Sequence, residues 1–311
     1  MSQPSQYSVD DLLYLMSRLR DPQTGCPWDL KQTPQKIINY SIEEVYELAD
    51  AIESADIDDI KGELGDVLFQ VIFLARLADE EQQFTFNDVV QTLCSKLVSR
   101  HPHVFTNGKL YPSHNEDGSA TDNIFEAQVA KNWERIKASE RAEKNRGGLF
   151  DDVPLALPAL SRAAKLQKRA TSIGFDWPDA RGALDKLKEE VLELEALLDQ
   201  AEPSHDLAED PLKNMPNDMP QRLKDELGDV LFSSINVARK MGINSEQALR
   251  HANTKFVNRV DAVMVKLQQQ LPEAAEGEGG RKESHKAVSD KVDSQTLNRL
   301  WDAVKKEQNP S

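Results

Sequence analysis

Two short segments concentrate acidic side chains at a spacing that a helix makes useful. They are Lys186-Leu-Lys-Glu-Glu-Val-Leu-Glu193 and Arg222-Leu-Lys-Asp-Glu-Leu-Gly-Asp229. Glu190 precedes Glu193 by three residues and Glu226 precedes Asp229 by three, so on a helix each pair shares one face, about one turn apart. The phases agree as well. With Leu187 and Leu223 as origins and an advance of about 100° per residue, Glu190 and Glu226 both fall at about −60°, and Glu193 and Asp229 both at about −120°. If the two apolar stripes pack together, the four carboxylates converge. Like charges so placed are costly unless a cation neutralises them. An all-oxygen ligand set selects a hard cation, Mg²⁺ or Mn²⁺, over zinc, and such sites leave positions for water and phosphate oxygens. Lys186 and Arg222 each stand four residues before an acid. Singly they read as intrahelical ion pairs worth a few tenths of a kcal/mol, roughly; as a pair flanking a metal cluster they suit a polyphosphate.

The elements that must hold these groups are helices. Apolar periodicity predicts helices over 10–19, 34–53, 57–78, 86–98 and 123–144 in the first half. In the second half it predicts them over 160–170, 183–200, 222–240, 245–270 and 295–307. The face of the 34–53 helix is expected to be Ile38, Ile42, Val45, Leu48 and Ile52. Stretches rich in Pro, Gly and charge predict loops over 21–28, 106–121 and 203–220, and a flexible insertion over 271–294. With no alternating β-branched run, the fold class is all-α. The expected domains are 1–144 and 159–311, joined by a linker over 145–158.

The halves are copies of one another. Gly25 and Trp28 recur as Gly174 and Trp177; Glu43, Glu44 and Glu47 as Glu189, Glu190 and Glu193; Glu63 and Asp66 as Glu226 and Asp229. Lys96 and Arg100 recur as Lys255 and Arg259, and Trp133 and Lys137 as Trp301 and Lys305. The loops differ: 15 residues separate Glu47 from Glu63, but 32 separate Glu193 from Glu226. One Glu-Glu-x-x-Glu helix alone reads as a solvated face; its recurrence with a second acidic helix carries the metal reading. The positions of Lys186 and Arg222 are Tyr40 and Asp59 in the first copy. The second copy is therefore expected to be the working site. The first, with Glu44, Glu47, Glu63 and Asp66, is expected to be weak, specialised or structural.

Composition narrows the function classes. A net charge of −15 over 311 residues argues against broad contact with nucleic acid or an anionic membrane. Cys26 and Cys94 form no CxxC pair, which points to a reducing cytoplasm. Met1–Asp10 lacks the apolar run of a signal peptide, and the most apolar stretch, Val67–Ala78, is too short to span a bilayer. Di-iron chemistry needs Glu-x-x-His on helices, and here that spacing occurs at Glu202 and His205, around Pro203. Trp301 could stack on a base or sit in a core; Trp28 and Trp177 are assigned to structure, and His101-Pro-His103 to a capped helix end. No Walker A, GxGxxG or Ser/His/Asp arrangement is present.

The paired Glu-Glu-x-x-Glu and Glu-x-x-Asp helices, present twice with Gly-Cys-Pro-Trp-Asp at 25–29 and Gly-Phe-Asp-Trp at 174–177, resemble the MazG family of nucleoside triphosphate pyrophosphohydrolases. The resemblance spans about residues 8–268 and 295–307. It implies tandem all-α domains whose four-helix cores are completed by homodimerisation. It also implies Mg²⁺-dependent conversion of nucleoside triphosphates to monophosphate and pyrophosphate by attack of an activated water on the α-phosphorus. The family's metal ligands carry over to Glu190, Glu193, Glu226 and Asp229. Its nucleotide contacts carry over to Lys186, Glu189, Arg222, Lys255, Arg259, Trp301 and Lys305, and Glu189 is a candidate to orient the water. The long 203–220 and 271–294 segments depart from the family pattern. The alternative is a non-catalytic nucleotide-binding, regulatory or scaffolding helical protein.

Overall fold

The computed structural model describes residues 6–105, 108–111, 148–200, 218–270 and 293–308. Among them the regular structure is helical, with no strand. The chain divides into two compact units, Met1–Glu140 and Arg141–Ser311.

The first unit holds α1 (Val9–Leu19), a short 3-10 turn (Asp29–Lys31), α2 (Pro34–Ser54), α3 (Ile57–Glu80) and α4 (Phe86–Arg100). Local chemistry sets the starts. Ser8 and Asp11 form a capping box on α1, and Thr85 and Asp88 form another on α4. Asp56 accepts from the amides of Asp58 and Asp59 to open α3. Between α2 and α3 the chain reverses through Ala55 in the left-handed region (φ 58°), and the two helices pack along each other as a hairpin. α1 and α4 lie against α3, and Met16, Ile37, Ile72, Phe73 and Leu77 form the core. Beside it the buried Arg20 guanidinium pairs with both oxygens of Glu80 (2.9 and 3.0 Å from Nε) and sits 5.6 Å from the Phe73 ring centroid.

The second unit repeats the plan with α5 (Ala159–Thr171), α6 (Ala180–Gln200), α7 (Met219–Lys240), α8 (Ser245–Gln270) and α9 (Ser294–Gln308). α6 and α7 form the hairpin, α5 packs on α7 and α8, and α9 on α8. Leu197, Met219 and Leu223 close one end of the hairpin. Val263, Leu267, Leu300 and Val304 join α8 to α9. The repeated glycines serve different ends. A Cβ on Gly25 would lie 2.4 Å from the Leu19 carbonyl oxygen, whereas Gly174 takes φ +81°, a conformation open mainly to glycine.

The structure corrects one expected boundary and adds residues to the packing of α2. The 203–220 loop ends early, because Met219 and Pro220 already belong to α7, where a proline in the first turn sacrifices no helix hydrogen bond. On α2 the core residues are Ile37 and Ala51. Ile38, Ile42, Val45 and Ile52 are about half exposed. α1 and α4 cover one side of the hairpin, so the longer apolar stripe faces away from them. Leu64, Leu68 and Val71 on α3 are likewise open, as are Val191, Leu192, Leu227 and Leu231 on the second hairpin. The 123–144 helix, Trp133, Lys137, and most of the 106–121, 203–220 and 271–294 segments lie outside the described residues. No helix among the described residues is long and apolar enough to cross a membrane.

Phe73 is fully buried, and Phe73→Ala should destabilise the first unit by about 3–5 kcal/mol. Urea unfolding of the full chain, with hydrogen exchange speeding up in α1–α3 peptides, measures this.

Candidate active site

The α6/α7 hairpin brings together three of the four carboxylates expected to converge. Glu190, Glu226 and Asp229 each offer a carboxylate oxygen within 4.8 Å of the others. Glu190 is buried, Glu226 half-buried and Asp229 exposed. One oxygen of Glu226, Oε2, is buried with no hydrogen-bond partner. An ionised carboxylate only accepts, so this oxygen calls for a donor or a cation. Glu193 stands beside the three rather than among them. Burial raises its pKa first, then its hydrogen bond with Glu190 and the charges of Glu190 and Glu226; Lys186 offsets part of this.

Lys186 reaches both neighbouring acids, at 2.7 Å from Glu189 Oε1 and 3.0 Å from Glu190 Oε1. Those hydrogen bonds, the one to Glu189 foremost, push its pKa up and fix it as a cation. Arg222 is exposed one turn before Glu226. Lys255, Arg259, Trp301 and Lys305 gather elsewhere, on the α8/α9 pair. There Arg259 is buried, lies 5.9 Å from the Trp301 ring and donates to Gln308. Trp301 packs against the α8/α9 core and 5.6 Å from Phe256. Lys255 and Lys305 are exposed. A cavity of about 770 Å³ opens directly beside the acids, with Lys186, Glu190 and Asp229 in its wall, and none of the α8/α9 group lines it.

Comparison with known proteins decides the lineage. Residues 32–105 and 181–264 each match the MazG nucleotide pyrophosphohydrolase domain. The chain is 39% identical over 305 residues to a nucleoside triphosphate pyrophosphohydrolase of Escherichia coli (strain K12), covering 96% of this chain and 98% of that one. It is also 39% identical over 250 residues to the Thermotoga maritima nucleoside triphosphate pyrophosphohydrolase/pyrophosphatase MazG, covering 80% and 83%. The chain belongs to the MazG family.

Its two MazG segments keep the acids and differ around them. In the first, Glu44, Glu63 and Asp66 approach within 4.8 Å, and Glu63 Oε2 is again buried without a partner. Here Gln70 donates to Glu44 at 3.3 Å. Tyr40, in the place of Lys186, lies 5.8 Å from Trp28. Burial raises the Glu44 carboxyl first, then the charges of Asp66 and Glu47, against the Gln70 hydrogen bond. Glu63 is raised by burial, then by Glu47 and Asp66.

The cavity lining is what reasoning from the sequence missed. Trp177, assigned to structure, lines the cavity with Phe175 and Phe150. The loop that carries it is anchored by Asp176, which accepts from Arg239 (2.5 Å) and Lys240 (2.7 Å). Burial pushes the Asp176 carboxyl up, and the two cations more than offset it, holding it below the usual range. The echo of Gly-x-x-Trp was the available signal. His101 caps α4 through Nδ1 to the Leu97 carbonyl (2.7 Å), as its position at a helix end suggests.

The raised carboxyls have a consequence for the metal-free chain. The folded state holds protons on Glu44, Glu63 and Glu193 more tightly than the unfolded state does. Stability should therefore fall as pH rises from the ordinary carboxylate range through the raised values. In a chelator, thermal unfolding should show this decline, Glu63→Gln and Glu193→Gln should each lessen it, and added Mg²⁺ should restore the melting temperature at neutral pH.

Proposed function

We propose that the second MazG unit hydrolyses nucleoside triphosphates to the monophosphate and pyrophosphate. The Mg²⁺ would be held by Glu190, Glu226 and Asp229, with Glu193 beside them; Mn²⁺ has the same ligand preference. The observation that carries this reading is the buried, unpartnered Glu226 Oε2 inside a knot of three carboxylates, two of which, Glu190 and Asp229, line a cavity large enough for a nucleotide. The relatives' names, nucleoside triphosphate pyrophosphohydrolase, support it from outside the chain. When bound, the metal supplies Lewis-acid polarisation of a phosphoryl oxygen and a lowered pKa for a water ligand.

The chain's own residues supply the remainder. Lys186, fixed as a cation, offsets charge on the phosphates in a partly desolvated setting where that is worth most. Arg222 adds a planar fork one turn away. Glu189, held through Lys186 at the edge of the cluster, orients the attacking water. The hairpins pair with a second copy of the chain into a four-helix core, and this homodimer covers the exposed apolar stripes of α2, α3, α6 and α7, which are too extensive for a lone monomer. In that assembly Lys255, Arg259, Trp301 and Lys305 form a second group of nucleotide contacts.

Incubation with ATP, GTP, CTP and dUTP, with and without Mg²⁺, should yield monophosphate and pyrophosphate only with metal. Glu190→Gln and Glu226→Gln should abolish release, while Glu44→Gln leaves most of it. Equal loss from Glu44→Gln would sink the assignment to the second unit. Metal-dependent binding without product would make the chain a nucleotide-binding regulator instead. Sedimentation equilibrium should give twice the chain mass of 35.0 kDa, falling towards it for Ile42→Glu combined with Leu231→Glu.

A further inference from the structure

Two positions on α7 that line the cavity differ from their counterparts in the first unit. Aligning Glu63 with Glu226 and Asp66 with Asp229 sets Gln70 opposite Ser233 and Phe73 opposite Asn236, with no gap in either helix. In the first unit Phe73 is fully buried, packs edge-on to Phe69 at 5.8 Å and completes the core with Met16 and Ile37. In the second, the smaller, polar Ser233 and Asn236 line open space. The same framework is filled in one copy and hollow in the other.

The hollow is furnished for a ligand. Gln167 on α5 is only 6% exposed and lines it. Its Nε2 donates to the Phe232 carbonyl oxygen at 2.8 Å, which fixes the amide, since a reversed amide would set oxygen against oxygen. The other end, Oε1, is buried and has no partner. A buried acceptor left unpaired carries a desolvation penalty that a ligand N–H or O–H would relieve. Aromatic side chains stand at the same cavity uncovered, Trp177 at 41% and Phe175 at 78% exposure. Asn236, whose Oδ1 accepts from Arg239 at 2.6 Å, adds a polar edge. Lys186, Glu190 and Asp229 complete the wall at the other end. Stacking surface, fixed acceptor and clustered acids thus share one cavity of a volume usual for small-molecule sites.

We propose that this cavity seats the nucleoside end of the substrate, with Trp177 against the base and Gln167 Oε1 accepting from an N–H of the base edge, so that these residues set base selectivity. This rests on the triphosphate reading of the acids. Among the described residues of the first unit, Phe73 fills the position matching Asn236, so the seat is assigned to the second unit.

The test uses the full chain and three variants: Asn236→Phe, Trp177→Ala and Gln167→Met. Mg²⁺ affinity is measured by calorimetry, AMP binding by equilibrium dialysis, and KM and kcat for ATP by pyrophosphate release. Each variant should weaken AMP binding and raise KM about tenfold or more, the size of one lost stack or base contact, with Mg²⁺ affinity unchanged. Because Gln167 also ties α5 to α7, its variant is judged beside its melting temperature, and Trp177→Ala, on an exposed loop, decides if that falls. Wild-type KM and AMP affinity in both Asn236→Phe and Trp177→Ala would overturn the seat while leaving the hydrolase reading intact. Absence of pyrophosphate release in the unaltered chain, with AMP binding lost in the variants, would overturn the hydrolase reading and keep the seat.

Discussion

Charge repulsion held in place by packing is the constraint on which the second unit depends. Glu190, Glu226 and Asp229 sit on two helices whose apolar sides must meet, and their meeting forces the carboxylates together. A solvated loop would let them drift apart; a hairpin sealed by Leu197, Met219 and Leu223 does not. The cost of crowding is thus built into the folded state. Preorganised charge of this kind needs little rearrangement when substrate binds. Lys186 offsets part of the cost through its ion pairs with Glu189 and Glu190.

Duplication lets the same constraint be read twice. Both units retain the acids and one orphaned carboxylate oxygen, so convergence follows from the hairpin itself. What diverged is the surrounding space. In the first, Tyr40 lies against Trp28, Gln70 donates to Glu44 and Phe73 joins the core. Lys186, Ser233 and Asn236 leave the second open and charged.

The helices, the repeat and the acid geometry were legible in the sequence because each rests on a local period. Glu190 and Glu226 share a phase relative to their leucines, and phase survives into packing. Which α2 residues meet α1 was not legible: Ile37 lies next to Ile38 in the chain, and the core takes Ile37 together with Met16. The cavity was illegible for a related reason. It is made by what Ser233 and Asn236 fail to fill, and missing volume leaves no periodic trace. Trp177 reads as structural from its place in a loop expected to pack over its own repeat, and the fold also sets it in the cavity wall. Lys255, Arg259, Trp301 and Lys305 were grouped by order along the chain, whereas the fold collects them on a separate helix pair.

Glu226, Asp229, Ser233, Asn236 and Lys240 recur at intervals of three and four residues, a single stripe along α7. The acids occupy one end, the cavity lining the middle, and the anchor for the Trp177 loop the other end. From Asp229 to Asn236 the rod measures about 10 Å, at ~1.5 Å per residue. α7 is therefore a ruler as well as a scaffold. Inserting or deleting one residue between the two marks would turn them apart by about 100°, uncoupling them even with every side chain intact.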